Sequence, residues 1–114
     1  MVEITREGRN VRFEVLGLHK IWALKSNLII PRDHIVKAYR NADEVTGLSG
    51  IRAWGTSIPF LFLAGTIFTN EGVVFCDVFD KKNTVIVTLR YEYYNKLIIE
   101  VEHPDEAIYL LARP

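Results

Sequence analysis

Val85-Ile86-Val87-Thr88-Leu89-Arg90, Tyr91-Glu92-Tyr93-Tyr94-Asn95-Lys96, Leu97-Ile98-Ile99-Glu100-Val101-Glu102 and His103-Pro104-Asp105-Glu106-Ala107-Ile108-Tyr109-Leu110-Leu111-Ala112 follow one another at the end of the chain, and their reading decides the fold. In the first block Val85, Val87 and Leu89 alternate with Ile86, Thr88 and Arg90. In the third, Leu97, Ile99 and Val101 alternate with Ile98, Glu100 and Glu102. That period of two is a strand signal. The second block is the link between them and ends in an Asn-Lys turn. In the fourth block the period changes. Pro104 suits a first helical position, Asp105 and Glu106 suit the positive end of a helix dipole, and Ala107, Ile108 and Leu111 make one helical stripe. Strands followed by a single closing helix are therefore expected.

Further toward the N-terminus the strand signal repeats, with turn residues about every 8 to 12 positions, as in a sandwich or barrel. Val2 to Arg6 reads as a strand, Glu7-Gly8-Arg9-Asn10 as a turn, and Val11 to Leu16 as a half-buried strand. Ile21 to Leu24, Leu28 to Ile30 and His34 to Tyr39 are further short runs, with Pro31 stopping the second. Phe60 to Phe68 and Val73 to Phe79 read as a hairpin about Thr69-Asn70-Glu71-Gly72, with glycine supplying the positive φ. Asn41 to Pro59 is the least regular segment, a helical turn at most and otherwise a long loop, where function is often placed.

The chain has 114 residues, the size of one domain spanning 1–114. Apolar residues make up 49% and charged residues 25%, which excludes intrinsic disorder. Fourteen basic residues balance fourteen acidic ones. Zero net charge supplies no long-range field for nucleic acid and lowers the barrier to self-association. The one cysteine, Cys76, forms no internal disulfide and suits a reducing cytosol. The N-terminus lacks the apolar core of a signal peptide. The expected location is cytoplasmic, or peripheral to the inner face of the membrane.

The text resembles a family of small bacterial pleckstrin-homology-like proteins. The stretches that carry this are Gly17 to Lys25, Leu28-Ile29-Ile30-Pro31 with His34-Ile35, Gly50 to Pro59, Ala64-Gly65-Thr66, Phe75-Cys76-Asp77-Val78, and Tyr94 to Glu102 before Pro104. The resemblance implies a mainly β fold, a barrel of seven or eight antiparallel strands closed by one C-terminal α-helix. It implies no activity, because a fold hosts many functions.

No residue set supports a reaction, so no enzyme and no cofactor are expected. His19, His34 and His103 lie on separate elements without metal-ligand spacing. Cys76 falls between Val74 and Val78 on an apolar strand face, where a thiol is inert. The carboxylates Asp77, Asp80, Glu100 and Glu102 read as solvated. The unexpected feature is the hairpin, whose two strands are apolar on both faces: Phe60, Phe62, Ala64 and Phe68 against Leu61, Leu63 and Ile67, and Phe75 and Phe79 against Val74, Cys76 and Val78. A second copy or another protein, the chain's own Gly47–Pro59 loop, or a lipid surface is expected to cover the extra face.

The leading reading is a binding or scaffolding domain that self-associates through Phe60, Phe62, Phe68, Phe75 and Phe79. Arg52 and Trp54 are candidate anchors in the long loop, either at an interface or folded onto the core. The alternative is a peripheral membrane adaptor that uses the aromatic segment as a wedge and Arg6, Arg9 and Arg12 for lipid phosphates. A ligand carrier with a pocket lined by Trp22, Trp54 and tyrosines is the least supported.

Overall fold

The computed structural model describes residues 1–16, 27–41, 63–69, 72–78 and 83–112. The first strands are β1 (Val2–Glu7) and β2 (Asn10–Val15), joined by a tight turn in which Gly8 takes a φ of 65°. Only glycine adopts that conformation without steric cost. β2 pairs on its other side with β3 (Asn27–Pro31), so the order in this antiparallel sheet is β1-β2-β3. The alternation read from the sequence holds: Val11, Phe13 and Val15 are buried, and their register partners Arg6, Ile4 and Val2 share that inner face.

Pro31 ends β3. A single 3-10 turn, Arg32–His34, then leads into β4 (Ile35–Tyr39), the first strand of a second sheet. The others are β5 (Leu63–Thr69), β6 (Gly72–Val78), β7 (Thr84–Leu89) and β8 (Lys96–Glu100), in the order β4-β7-β8-β6-β5. The molecule is therefore mainly β, with a three-stranded and a five-stranded sheet among the described residues. Among the described residues the sheets do not close into a barrel, and the strands are not all antiparallel: β6 and β8 run parallel, Val74 beside Lys96 and Asp77 beside Ile99. β8 lies between β6 and β7, so the chain leaves β6, passes to the far side of β8, and returns antiparallel.

That placement explains the apolar faces. Central strands buried on both sides read as continuous hydrophobic runs. One face of the five-stranded sheet packs Phe75, Val85, Val87, Leu97 and Ile99 against Val11, Phe13 and Val15 of the other sheet. The opposite face holds Val74, Cys76, Val78, Ile86 and Ile98, with Tyr39 and Ile67 packed against them. Cys76, Val78, Ile86 and Ile98 are all 0% exposed in the single chain. Each such aliphatic side chain contributes about 1.5–3 kcal/mol when fully buried.

The helix α1 (Pro104–Ala112) begins at Pro104, as the sequence predicts, and buries Ala107 and Leu111 against the core between the sheets. Its last turn carries no basic residue. Two arginines from elsewhere serve that end. Arg6 of β1 donates to the Leu110 carbonyl at 3.2 Å, and Arg32 to the Ala112 carbonyl at 3.1 Å. Both meet carbonyls that the helix itself leaves without partners, at the negative end of its dipole.

Candidate interaction surface

β5 lies at the edge of the wider sheet among the described residues. Thr66 and Phe68 lie opposite Phe75 and Val73, on the face that packs against the smaller sheet farther in. There Phe75 is buried, whereas Phe68 is 73% exposed. The same residue type on the same face has two fates: Phe75 is on an inner strand, and Phe68 is on the outermost strand among the described residues.

A line of rings connects the core to this edge. Phe75 packs against Tyr94 with centroids 5.4 Å apart, and Tyr94 meets the edge of Tyr93 at 5.2 Å. Tyr94 is buried, and its hydroxyl hydrogen-bonds the Thr66 hydroxyl at 2.9 Å. Tyr93 is exposed. Asn95 ties the same loop to β6: its backbone amide donates to the Val73 carbonyl at 2.8 Å, and its side-chain oxygen accepts from the Val73 amide at 2.9 Å. Val73 is the register partner of Phe68. Phe68 and the β7–β8 loop thus share one end of the sheet.

Farther along the loop, Tyr91 is 84% exposed and has a φ of 62°. A bulky residue in the left-handed region costs on the order of 1–2 kcal/mol. The neighbouring 3-10 turn holds it there. The Arg90 amide donates to the His34 carbonyl at 2.8 Å and its Nε to the Asp33 carbonyl at 2.9 Å. The His34 ring meets Tyr91 edge-on at 5.6 Å, and its Nδ1 is 2.5 Å from Glu92 Oε2. Strain of this kind clusters at functional sites. The sequence did not mark Tyr91, Tyr93 or this His34–Glu92 pair. The available signal was the length of the link, too long for a two-residue hairpin and rich in tyrosine, an interface residue.

The other candidates are placed as follows. Phe60, Phe62, Phe79, Arg52 and Trp54 lie outside the described residues, as do Trp22, Asp80 and the Gly47–Pro59 loop. Phe75 is interior, on a strand with a neighbour on each side. Arg6, Arg9 and Arg12 do not converge. Arg6 shares the inner face with Val11, while Arg12 pairs with Thr5 on the outer face and makes an ion pair with Glu7. Arg9 is exposed in the turn. Asp77 and Glu100, expected in solvent, are buried; Asp77 Oδ2 lies 3.1 Å from the Met1 amino group. Glu102 is exposed. Cys76 is fully buried, and its thiol is pushed up to about 12 by desolvation and then by the charge of Asp77. No group of His, Cys, Asp and Glu suited to a metal ion occurs among the described residues.

No protein-family model, no characterised protein and no solved structure matches the chain.

Proposed function

We propose that this chain is a non-enzymatic binding domain that pairs with a second copy of itself along β5, with Phe68 as the anchor. The observation that carries the reading is Phe68, 73% exposed on the strand that is outermost among the described residues, beside the buried β6. An edge strand offers unpaired backbone donors and acceptors to another strand. Two copies related by a two-fold axis satisfy them with the same patch on each. Zero net charge removes the repulsion that keeps like molecules apart. Tyr93, held by Tyr94, adds a second ring at the same end of the sheet.

A pleckstrin-homology-like fold belongs to this proposal. Two facing sheets of short strands with a helix after the last strand support it; the parallel β6–β8 pair departs from its all-antiparallel pattern. Among the described residues no helix is long and apolar enough to cross a membrane.

Light scattering on a size-exclusion column tests the function. The wild-type chain elutes at twice its monomer mass, and Phe68→Asp at the monomer mass with an unchanged circular dichroism spectrum. A monomeric wild type, or a Phe68→Asp protein of unchanged mass, removes the reading.

A further inference from the structure

A groove of about 210 Å³ is lined by Val2, Glu3 and Ile4 of β1, by Glu106, Ala107 and Leu110 of α1, and by Val101, Glu102 and His103 between them in the chain. Val2, Val101 and Ala107 are buried and form an apolar floor. Glu3, Glu102, His103 and Glu106 are exposed and form the rim. β1 is an edge strand of its sheet among the described residues, and an edge strand offers backbone donors and acceptors to an incoming strand.

The rim is acidic. His103 Nε2 lies 3.7 Å from Glu102 Oε1, and Arg6 is turned to the Leu110 carbonyl, which leaves Glu3 and Glu106 as the carboxylates of the two facing elements. Glu3 lies directly across the strand pair from Glu14. Like charges facing each other across a strand pair destabilise a sheet. Here the repulsion is retained on the strand that borders the groove, in a chain with no net charge to distribute. An apolar floor, a strand edge and an acidic rim match one kind of occupant.

We infer that this groove docks an extended, basic segment of another protein. The segment adds to the β1 edge through its backbone, its alternate apolar side chains enter the floor over Val101 and Ala107, and its lysines or arginines meet Glu3, Glu102 and Glu106. Strand addition of this type takes affinity from main-chain hydrogen bonds and specificity from alternate side chains. The surface is distinct from the one proposed for self-association, which uses β5 of the other sheet.

The experiment titrates a short, end-blocked peptide of alternating lysine and valine into isotopically labelled protein, beside a glutamate–valine counterpart. The expected result is saturable binding of the lysine peptide alone, weakened by salt, with amide shifts confined to β1 and α1. Charge reversal at Glu3→Lys and Glu106→Lys together weakens binding about tenfold. Both residues are exposed, and an unchanged amide spectrum of the free variant confirms its fold. No binding, equal binding of the glutamate peptide, shifts elsewhere, or affinity unaffected by the double reversal overturns the inference. So does a peptide-free, concentration-dependent shift of the same amides, which makes a second copy the occupant.

Discussion

A β-carbon placed on Gly72 would lie 2.0 Å from Asn95 Oδ1. The glycine has a φ of 127°, and the asparagine sits that close because its side chain accepts the Val73 amide. The turn of one hairpin and the loop of the next are locked together at a point where no side chain fits.

Gly72→Ala therefore meets two penalties, backbone strain and a steric clash. An expected loss of about 1–3 kcal/mol follows from strain of this class, read as a lower urea midpoint. Asn95→Ala loses the hydrogen bond to Val73, at about 1–3 kcal/mol for the amide left behind. In the double variant the clash disappears, so the two losses sum to more than the measured total. Additivity within about 0.5 kcal/mol would show that the contact is not under strain.

The arginines at the end of α1 give a second expectation. Arg6→Ala and Arg32→Ala each remove a charged donor from a terminal carbonyl. Each costs roughly 0.5–1.5 kcal/mol, and hydrogen exchange speeds up in the last helical turn before any other part. Arg9→Ala, exposed and without a side-chain partner among the described residues, stays within about 0.5 kcal/mol of wild type. Equal effects at all three positions would count against the capping role.

Burial of Cys76 predicts how stability varies at high pH. The thiol of the folded chain is raised to about 12 from 9.0, first by desolvation and then by Asp77. The folded state thus holds the proton more tightly than the unfolded one. This stability is complete below pH 9 and is lost progressively as pH rises from 9 toward 12. Denaturation midpoints measured across that range fall in the wild type and fall less in Cys76→Ala. At pH 8 the native thiol also resists disulfide reagents until the chain unfolds. Rapid labelling without unfolding would contradict its burial.

Phe68 and Phe75 make a matched pair. Phe75→Ala empties a core site and costs about 3–5 kcal/mol. Phe68→Ala removes an exposed ring and leaves the thermal midpoint of the monomer nearly unchanged. A scan of both at low protein concentration separates the roles, and a large loss at Phe68 would place that ring in the fold rather than on its surface.

What could be read from the sequence follows from how local each signal is. The limits of α1 were legible because Pro104, the acids after it and the Ala107–Leu111 stripe all act within one element. The inner face of β2 was legible because a strand reports burial through its own alternation. Pairing was not. β6 and β8 are apolar runs that would suit parallel or antiparallel neighbours, and only the path of the chain between them decides. The fates of Phe68 and Phe75 depend on the position of each strand in a sheet. The divergence of Arg6 and Arg12 depends on register. Asp77 and Glu100 alternate with apolar residues like solvent-facing acids, yet their strands have no solvent-facing side.

The parallel seam bears on how the chain reaches this structure. β5 with β6 and β7 with β8 are each antiparallel neighbours in sequence, closed by short connections. Loop-closure entropy favours such nearby pairings early. The β6–β8 seam is the parallel contact that joins the two hairpins, and it is expected to form after them. Assembly thus waits on a docking event between preformed units, and substitutions along the seam, at Cys76 or Ile98, slow folding more than substitutions at either turn.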